Sequence, residues 1–571
     1  MMATAPSKFT QVTHRLATPG WIRWAGRGAI LALALLHTWA AISAYSINAD
    51  GINYMDMGDA FWRGDWATAV NPVWSPLYGW LVGLALAIVQ PSMAWEFALM
   101  QLVNLAIFAL TLACFELFWR QLRHSRPHMA WPEWAWWGLG YTLFAWAALG
   151  LIELWAVTPD MLMAAFVLLS AGLLLSMQTR PQKWPIFALF GLLLGLAYLT
   201  KAIMLPISII FLLVAALTVQ KRPYLLLSTA VFLLVSAPYI AAISQIRGHI
   251  TWSDAGTITY VRYVNGLPYP HWQGGPPENG YPLHPSRQIS ATPPIFEFDG
   301  PIGGTYPISY DPVYWYEGAQ SNFNWPQQIN ALIRSALFYF DIFIQQLGVW
   351  LALLLLLALG QRWGGLRPYR ITLPAIFTQW SLIIPAAAAL AAYSLVYVEG
   401  RYVAVFVILL IGTALANLAH PPSPSVTYSA LIMIAALLLH IVAFNLAGVA
   451  DLSANLQPTA TTAPAPTWPG ATAVALHELG IQPGDKVGII GYGFEAFWAR
   501  LADVQITAEL LNWQAEPFWQ GDAATQQQVI DAFASAGVQA IVAEYAPPSA
   551  QLTGWQQVEN SSFYIYVIRN P

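Results

Sequence analysis

The sequence predicts a polytopic α-helical membrane protein of about eleven transmembrane helices, followed by a small extracytoplasmic α/β domain at the C-terminal end. Three observations carry that expectation. Hydrophobic residues make up 57% of the 571-residue chain and charged residues only 9%, far from the composition of soluble domains. Lys and Arg gather in alternate short connections between apolar runs, which sets a sidedness. After the last run, the pattern changes to short β-branched segments alternating with helical ones. A net charge of -4 provides no basic field for a nucleic acid partner. The single cysteine, Cys114, lies inside an apolar run, so neither a disulfide nor a thiolate metal site can be built.

Residues 1–27 read as a cytoplasmic N-terminus, since Lys8, Arg15, Arg23 and Arg27 precede the first apolar run and no acid does. That run, from about Gly28, is long enough to be a retained anchor rather than a cleaved signal. The membrane domain is expected over 28–448. Further spans begin near Trp95, Trp134, Met161, Trp184, Ile203, Tyr224, Ile333, Leu373, Tyr402 and Tyr428. Arg120, Arg123 and Arg126, then Arg180 and Lys183, Lys221 and Arg222, and Arg362, Arg367 and Arg370 fall in alternate connections and read as cytoplasmic. The frame holds only if "PLYGWLVGLALAIVQ", Pro76 to Gln90, does not span; it is expected to be a re-entrant or juxtamembrane helix.

Two outer loops follow from that frame. The first, 48–94, opens with "NADGINYMDMGDAFWRGD", in which Asp50 is a candidate helix N-cap and Gly64 a C-terminal stop. Asp56 and Asp59 read as a solvated helix face, with Asp59 paired to Arg63, and Asp65 as part of the turn. The second, 244–332, is dense in Gly, Pro, Trp and Tyr, suited to stacking on sugars, to sitting at the lipid headgroups or to a structural lid. A Thr/Ala/Pro linker is expected over 449–470 and the α/β domain over 471–571. Its "GIIGYG" resembles a phosphate-binding glycine loop but lacks the full spacing.

Ionisable residues at membrane depth are costly, so each is a functional candidate whose partner must be sought. Asp50, Asp160 in "WAVTPDM", Lys201 in "AYLTKAI", and Glu399 and Arg401 in "YVEGRYV" are all predicted at the outer membrane surface. The alternatives are structural: "TPD" is a good helix start, Lys201 can snorkel, and Glu399 can pair with Arg401 across a turn.

Asp50-Gly-Ile-Asn-Tyr54, "AFWRGDW" and "NPVWSPLYGWL", followed in order by "TPD", "GLLLGLAYLTK" and "EGRY", resemble the membrane glycosyltransferases of the GT-C class. Within it, the likeness is to the group of protein O-mannosyltransferases and lipid A aminoarabinose transferases, glycosyltransferase family 39-like. It covers roughly the first 420 residues. Many relatives have Asp-Glu where this chain has Asp50-Gly51. The aromatic loop and the tail carry no family motif.

The resemblance implies a GT-C-like fold and transfer of a sugar from a polyprenyl-phosphate donor to a protein, glycan or lipid acceptor at the outer face, with inversion. It implies Asp50 as general base, Lys201 and Arg401 at the donor phosphate, and Asp160 orienting a substrate or joining Asp50 around a divalent cation. Tyr54, Trp74, Tyr78, Glu399 and Tyr402 are the expected substrate-binding residues. The setting would be the inner or plasma membrane, with a cytoplasmic N-terminus and an extracytoplasmic C-terminal domain. The rival readings are a lipid-linked sugar transporter or flippase, which should show repeats and midplane charges, and a noncatalytic scaffold of the same fold.

Overall fold

The computed structural model describes residues 19–45, 47–126, 131–363, 379–418, 424–456, 469–548, 550, 552–559 and 561–568. The chain begins with α1 (Pro19–Ala44), an apolar helix that starts earlier than the run itself because Trp21, Ile22 and Trp24 extend it through Arg23 and Arg27. Then come α2 (Ala49–Arg63), α3 (Pro76–Val89), α4 (Met93–His124), α5 (Glu133–Ala145), α6 (Asp160–Thr179), α7 (Trp184–Thr200), α8 (Met204–Thr218) and α9 (Leu225–Arg247). A π-helical turn, Trp146–Leu151, extends α5.

Five described helices are long and apolar enough to cross a membrane alone, and six if one pair bent by 67° counts as a single span. Leu35, Leu36 and Trp39 on α1, and Leu226 and Leu234 on α9, stand exposed along the flanks. Such an apolar flank is stable against lipid, not water. The chain is thus an integral membrane protein. Several other apolar helices are shorter, and two of them, α7 and α8, stop or start beside Lys201. A polar group interrupts the apolar run there, so those helices fall short of a full span.

The helix α3 is too short to cross, since its 14 residues reach only about 21 Å. It lies instead against α2 at a crossing of glycines. A Cβ on Gly58 would lie 2.3 Å from the Gly79 carbonyl oxygen, and one on Gly83 would lie 2.4 Å from the Gly58 backbone. Only hydrogen side chains allow backbones so close. As expected, α2 ends at Gly64, which takes φ +79 and returns its N–H to the helix carbonyls.

After α9, the long loop is folded. It carries α10 (Ala255–Tyr263) and a hairpin of β1 (Arg287–Ala291) and β2 (Pro294–Glu297). The chain then returns to the bundle through α11 (Trp325–Phe340), α12 (Gly348–Trp363), α13 (Trp380–Ser394), α14 (Gly400–Ala416) and α15 (Pro424–Leu456). The predicted start of the ninth span, near Leu373, lies outside the described residues. Helix α15 runs on to Leu456, into the stretch read as a linker; the rest of that stretch up to 468 lies outside the described residues.

The C-terminal segment consists of α16 (Pro469–Glu478), β3 (Lys486–Gly491), α17 (Phe497–Leu501), β4 (Gln505–Leu511), α18 (Ala523–Ser535), β5 (Ala540–Ala543), β6 (Gln556–Gln557) and β7 (Tyr564–Val567). Its sheet is seven-stranded, in the order β1-β2-β4-β3-β5-β7-β6. The central strands β4, β3 and β5 are parallel, and β2 joins antiparallel to β4 with Phe296 opposite Glu509. The aromatic loop therefore supplies two strands of a sheet whose other five lie near the C-terminus. Alternation, reset in β4 by a bulge at Thr507, sends Ile490, Leu510 and Ile541 to one face, under α18, and Val487, Ile489, Ile506 and Val542 to the other, where they join the core shared with the membrane helices.

Candidate functional site

The site forms where four helix ends meet. Helix α2 begins at Ala49 with Asn48 as its N-cap residue, so Asp50 sits in the first helical turn and is not the cap. The Asn48 side chain instead accepts from the Val157 N–H at 2.8 Å. That bond ties the start of α2 to the segment preceding α6. Gly51 lies on the same contact: a Cβ there would be 2.8 Å from the Val157 Cβ. In this chain, position 51 has no room for the Glu seen in the resemblance pattern.

Asp160 opens α6 with its side chain only 1% exposed, an acid where the helix dipole favours one. Lys201, just past the end of α7, donates to Asp160 Oδ1 and holds its Nζ 3.6 Å from the centre of the Tyr402 ring. Arg401, in the first turn of α14, is the hub. Its guanidinium donates to Asp50 Oδ2 at 2.9 Å and to Glu399 Oε2 at 2.5 Å, and lies 3.9 Å from Asp160 Oδ2. Three carboxylates and two cations thus share one network, partly buried and facing one end of the bundle. The pairing of Glu399 with Arg401 across the turn is as expected, and Lys201 reaches an acid rather than the lipid interface.

Two cavities meet on this network. The larger, about 950 Å³, is lined by Asp50, Tyr54, Trp74, Asp160, Lys201, Glu399, Arg401 and Tyr402. The smaller, about 520 Å³, is lined by Asp50, Glu399 and Arg401 together with Glu153, Trp155 and Arg334. Asp50, Glu399 and Arg401 stand on the wall common to both.

Tyr78 does not take the place expected of it. It is fully buried, its hydroxyl donates to Asn104 Oδ1 at 2.6 Å, and its ring packs edge-on against Tyr54. It supports the cavity wall from behind. Trp74 does line the large cavity, with its indole N–H donating to the Tyr310 carbonyl at 3.0 Å. Sequence reasoning missed Tyr397, Arg262, Tyr269, Tyr492 and Phe494, which line the same cavity. Arg262 stacks on Tyr269 at 4.0 Å, and Tyr269 on Phe494 at 4.7 Å. The aromatic loop and the C-terminal domain thus build part of the wall. Aromatic density in "VRYVNGLPYP" was the available signal for the loop; nothing in "GYGFEA" pointed to the membrane.

Asp56 and Asp59 are also corrected. Asp56 is buried, accepts from the Thr305 N–H at 2.7 Å and binds Arg500 at 2.6 Å. Asp59 binds the same guanidinium in place of Arg63, and Glu96 at the start of α4 accepts from Arg500 at 2.9 Å. These acids are a clamp on α17 of the C-terminal domain. Asp65 caps the short helix that follows by accepting from the Thr68 N–H.

Among the described residues, no group of three or more His, Cys, Asp or Glu side chains is arranged to hold a metal ion. Asp50 and Asp160 each have an oxygen on a cation, and Arg401 lies between them. The pair does not fit a divalent ion, which would have to displace that guanidinium, and no step is derived through one.

Fold and site together define a helical membrane protein whose polar centre opens at one end of the bundle beneath an α/β cap. No family model and no curated protein matches the chain. Among solved structures, it is similar to ArnT from Cupriavidus metallidurans bound to undecaprenyl phosphate, at 13% identity and a TM-score of 0.50 over 96% of this chain and 98% of that one. The apo state of ArnT aligns with a TM-score of 0.47, and the Archaeoglobus fulgidus oligosaccharyltransferase tethered with an acceptor peptide aligns at 14% identity and 0.46, over 90% of this chain and 68% of that one. The likeness to the bound ArnT structure extends over nearly the whole length of both chains, and the GT-C-like fold expected from the sequence is the fold found.

Proposed function

We propose that the chain is a GT-C-type glycosyltransferase that moves a sugar from a polyprenyl-phosphate donor to an acceptor at the extracytoplasmic face, inverting the anomeric centre, with Asp50 as general base. The observation that carries this reading is the position of Asp50 on the wall shared by two cavities. A two-substrate transfer needs one chamber for each reactant and a base between them. The fold it shares with an ArnT structure bound to undecaprenyl phosphate favours a lipid phosphate as the donor's leaving group.

The acceptor hydroxyl approaches Asp50 Oδ, which takes its proton as the acceptor oxygen bonds to the anomeric carbon. The bond from that carbon to the phosphate oxygen breaks from the opposite side, and its electron pair leaves with the lipid phosphate. Lys201 and Arg401 meet the charge that develops there. Both cations are already oriented, by Asp160 and by Asp50 and Glu399, so little reorganisation accompanies the step. Asp160, nearly inaccessible and bound to Lys201, is a positioning residue. Tyr54 and Trp74 line the chamber as the rings nearest the sugar, whereas the Tyr402 ring, expected in that role, is engaged by Lys201 and by stacking on Tyr393. The orientation that accompanies this reading is a cytoplasmic N-terminus and an outer C-terminal domain. Neither a transporter nor a scaffold has an observation of its own, since the ionised site residues gather at one set of helix ends.

The test is reconstitution in liposomes with radiolabelled polyprenyl-phosphate sugars and a set of protein, glycan and lipid acceptors, comparing wild type with Asp50→Asn. General base catalysis contributes about a hundredfold or more, so transfer should fall by that factor while donor retention persists. Undiminished transfer by the variant would remove Asp50 as the base.

A further inference from the structure

The three parallel strands of the C-terminal sheet end on one edge, at Gly491, Leu511 and Ala543. In open α/β sheets, that carboxyl edge is where ligands bind, usually with backbone N–H groups holding a phosphate. Here those groups are taken. The Gly493 N–H donates to Glu509 at 2.8 Å and the Tyr492 N–H to Glu544 at 2.9 Å. A Cβ on Gly493 would strike the Tyr306 ring at 2.5 Å, so the space above it is filled as well. An anion would meet carboxylates at this edge.

What the edge does present is aromatic faces and acid oxygens. Trp513, after β4, is 62% exposed, and Tyr545, after β5, is 53% exposed. Trp513 lies 5.8 Å from Tyr492, centroid to centroid. Tyr492, Phe494 and Glu495 from the loop after β3 line the large cavity that holds Asp50, so the edge is continuous with the reaction chamber. Burial, reinforced by Glu509 and Glu495 and opposed by the Tyr492 N–H, pushes the Glu544 carboxyl up to about 8. That carboxyl therefore keeps its proton well above the usual carboxylate range. Rings that stack on C–H faces, set among carboxyl groups, are the chemistry that recognises an uncharged sugar chain.

We propose that the carboxyl edge of the C-terminal sheet, at Tyr492, Trp513 and Tyr545, is a carbohydrate subsite that holds the outer sugars of a glycan acceptor. The inference rests on the reading of the cavity as a glycosyl-transfer site. Full-length protein in nanodiscs is applied to arrays of immobilised neutral glycans, acidic glycans and peptides, as wild type, Trp513→Ala, Trp513→Phe and Asp50→Asn. Wild type, Trp513→Phe and Asp50→Asn should retain neutral glycans. Trp513→Ala should weaken that retention by about three- to tenfold, the equivalent of one lost ring contact. Absence of neutral glycan retention by wild type, equal retention by Trp513→Ala, or Trp513-dependent retention of peptides or acidic glycans would each overturn the subsite. The two readings fail separately. Transfer undiminished in Asp50→Asn with Trp513-dependent retention removes the base and leaves the subsite, whereas loss of transfer without that retention does the reverse.

Discussion

Arg500 ties the C-terminal domain to the membrane domain through three carboxylates. Its side chain is 10% exposed and meets Asp56, Asp59 and Glu96, whose side chains are 7%, 24% and 15% exposed. Replacing it with Met removes the one cation that, among the described residues, pairs with these three carboxylates, and leaves Thr305 donating to Asp56. Breaking a buried ion pair from one side costs about 3–5 kcal/mol, mostly because the remaining charges lose their compensation. Part of the carboxylate group is solvated through Asp59, so the lower half of that range is expected. Amide exchange in Phe497–Leu501 should therefore accelerate by roughly a hundredfold or more, at about 1.4 kcal/mol per decade. Neutralising the partners as well, in Arg500→Met with Asp56→Asn and Asp59→Asn, should recover most of that loss, because the penalty lies in orphaned charge. Exchange in the single variant that matches wild type within a factor of about two would refute the clamp. A triple variant worse than the single one would refute the charge account.

Two further outcomes follow from backbone contact and from burial. Gly58→Ala puts a methyl against the Gly79 carbonyl and the Gly83 N–H, backbone atoms that cannot rotate away; thermal unfolding in detergent should report a loss of about 1–3 kcal/mol, whereas Gly28→Ala, with nothing within 4 Å, should report none. Glu544 binds its proton more tightly in the fold than at its ordinary 4.5, so its contribution to stability is full below about pH 4.5, is lost as pH rises to about 8, and is flat beyond. Glu544→Gln lacks that loss, so melting curves of variant and wild type should diverge between about pH 4.5 and about pH 8 with wild type falling faster, and parallel curves would refute the burial argument.

The charged centre was legible from sequence for a physical reason. A chain with so few ionisable groups cannot leave Asp160 or Lys201 unpaired at membrane depth, so residues on the same side had to find one another. Asp56 and Asp59 misled because helical spacing describes only near neighbours. Asp59 to Arg63 is a good surface pair locally, but the partner that wins is 441 residues away. The hairpin in "RQISATPPIFE" was hidden similarly: its strands are short, with prolines at the turn between them, and what makes them strands is the open edge of β4. Tyr78 carried the aromatic signature of a substrate wall, and only the position of Asn104 on α4 shows it turned inward.

These features converge on α2. Within its 15 residues, the first turn carries Asp50, the next presents Tyr54 to the cavity, Gly58 seats the helix on α3, and Asp56 and Asp59 hold the C-terminal domain through Arg500. The clamped residues Asp56 and Asp59 lie on the same helix as Asp50, about two turns from it. The same domain supplies Tyr492 and Phe494 to the cavity wall and packs one sheet face into the hydrophobic core it shares with the membrane helices. Docking of the C-terminal domain therefore does two things: it supplies part of the cavity wall, and it holds the helix that carries Asp50.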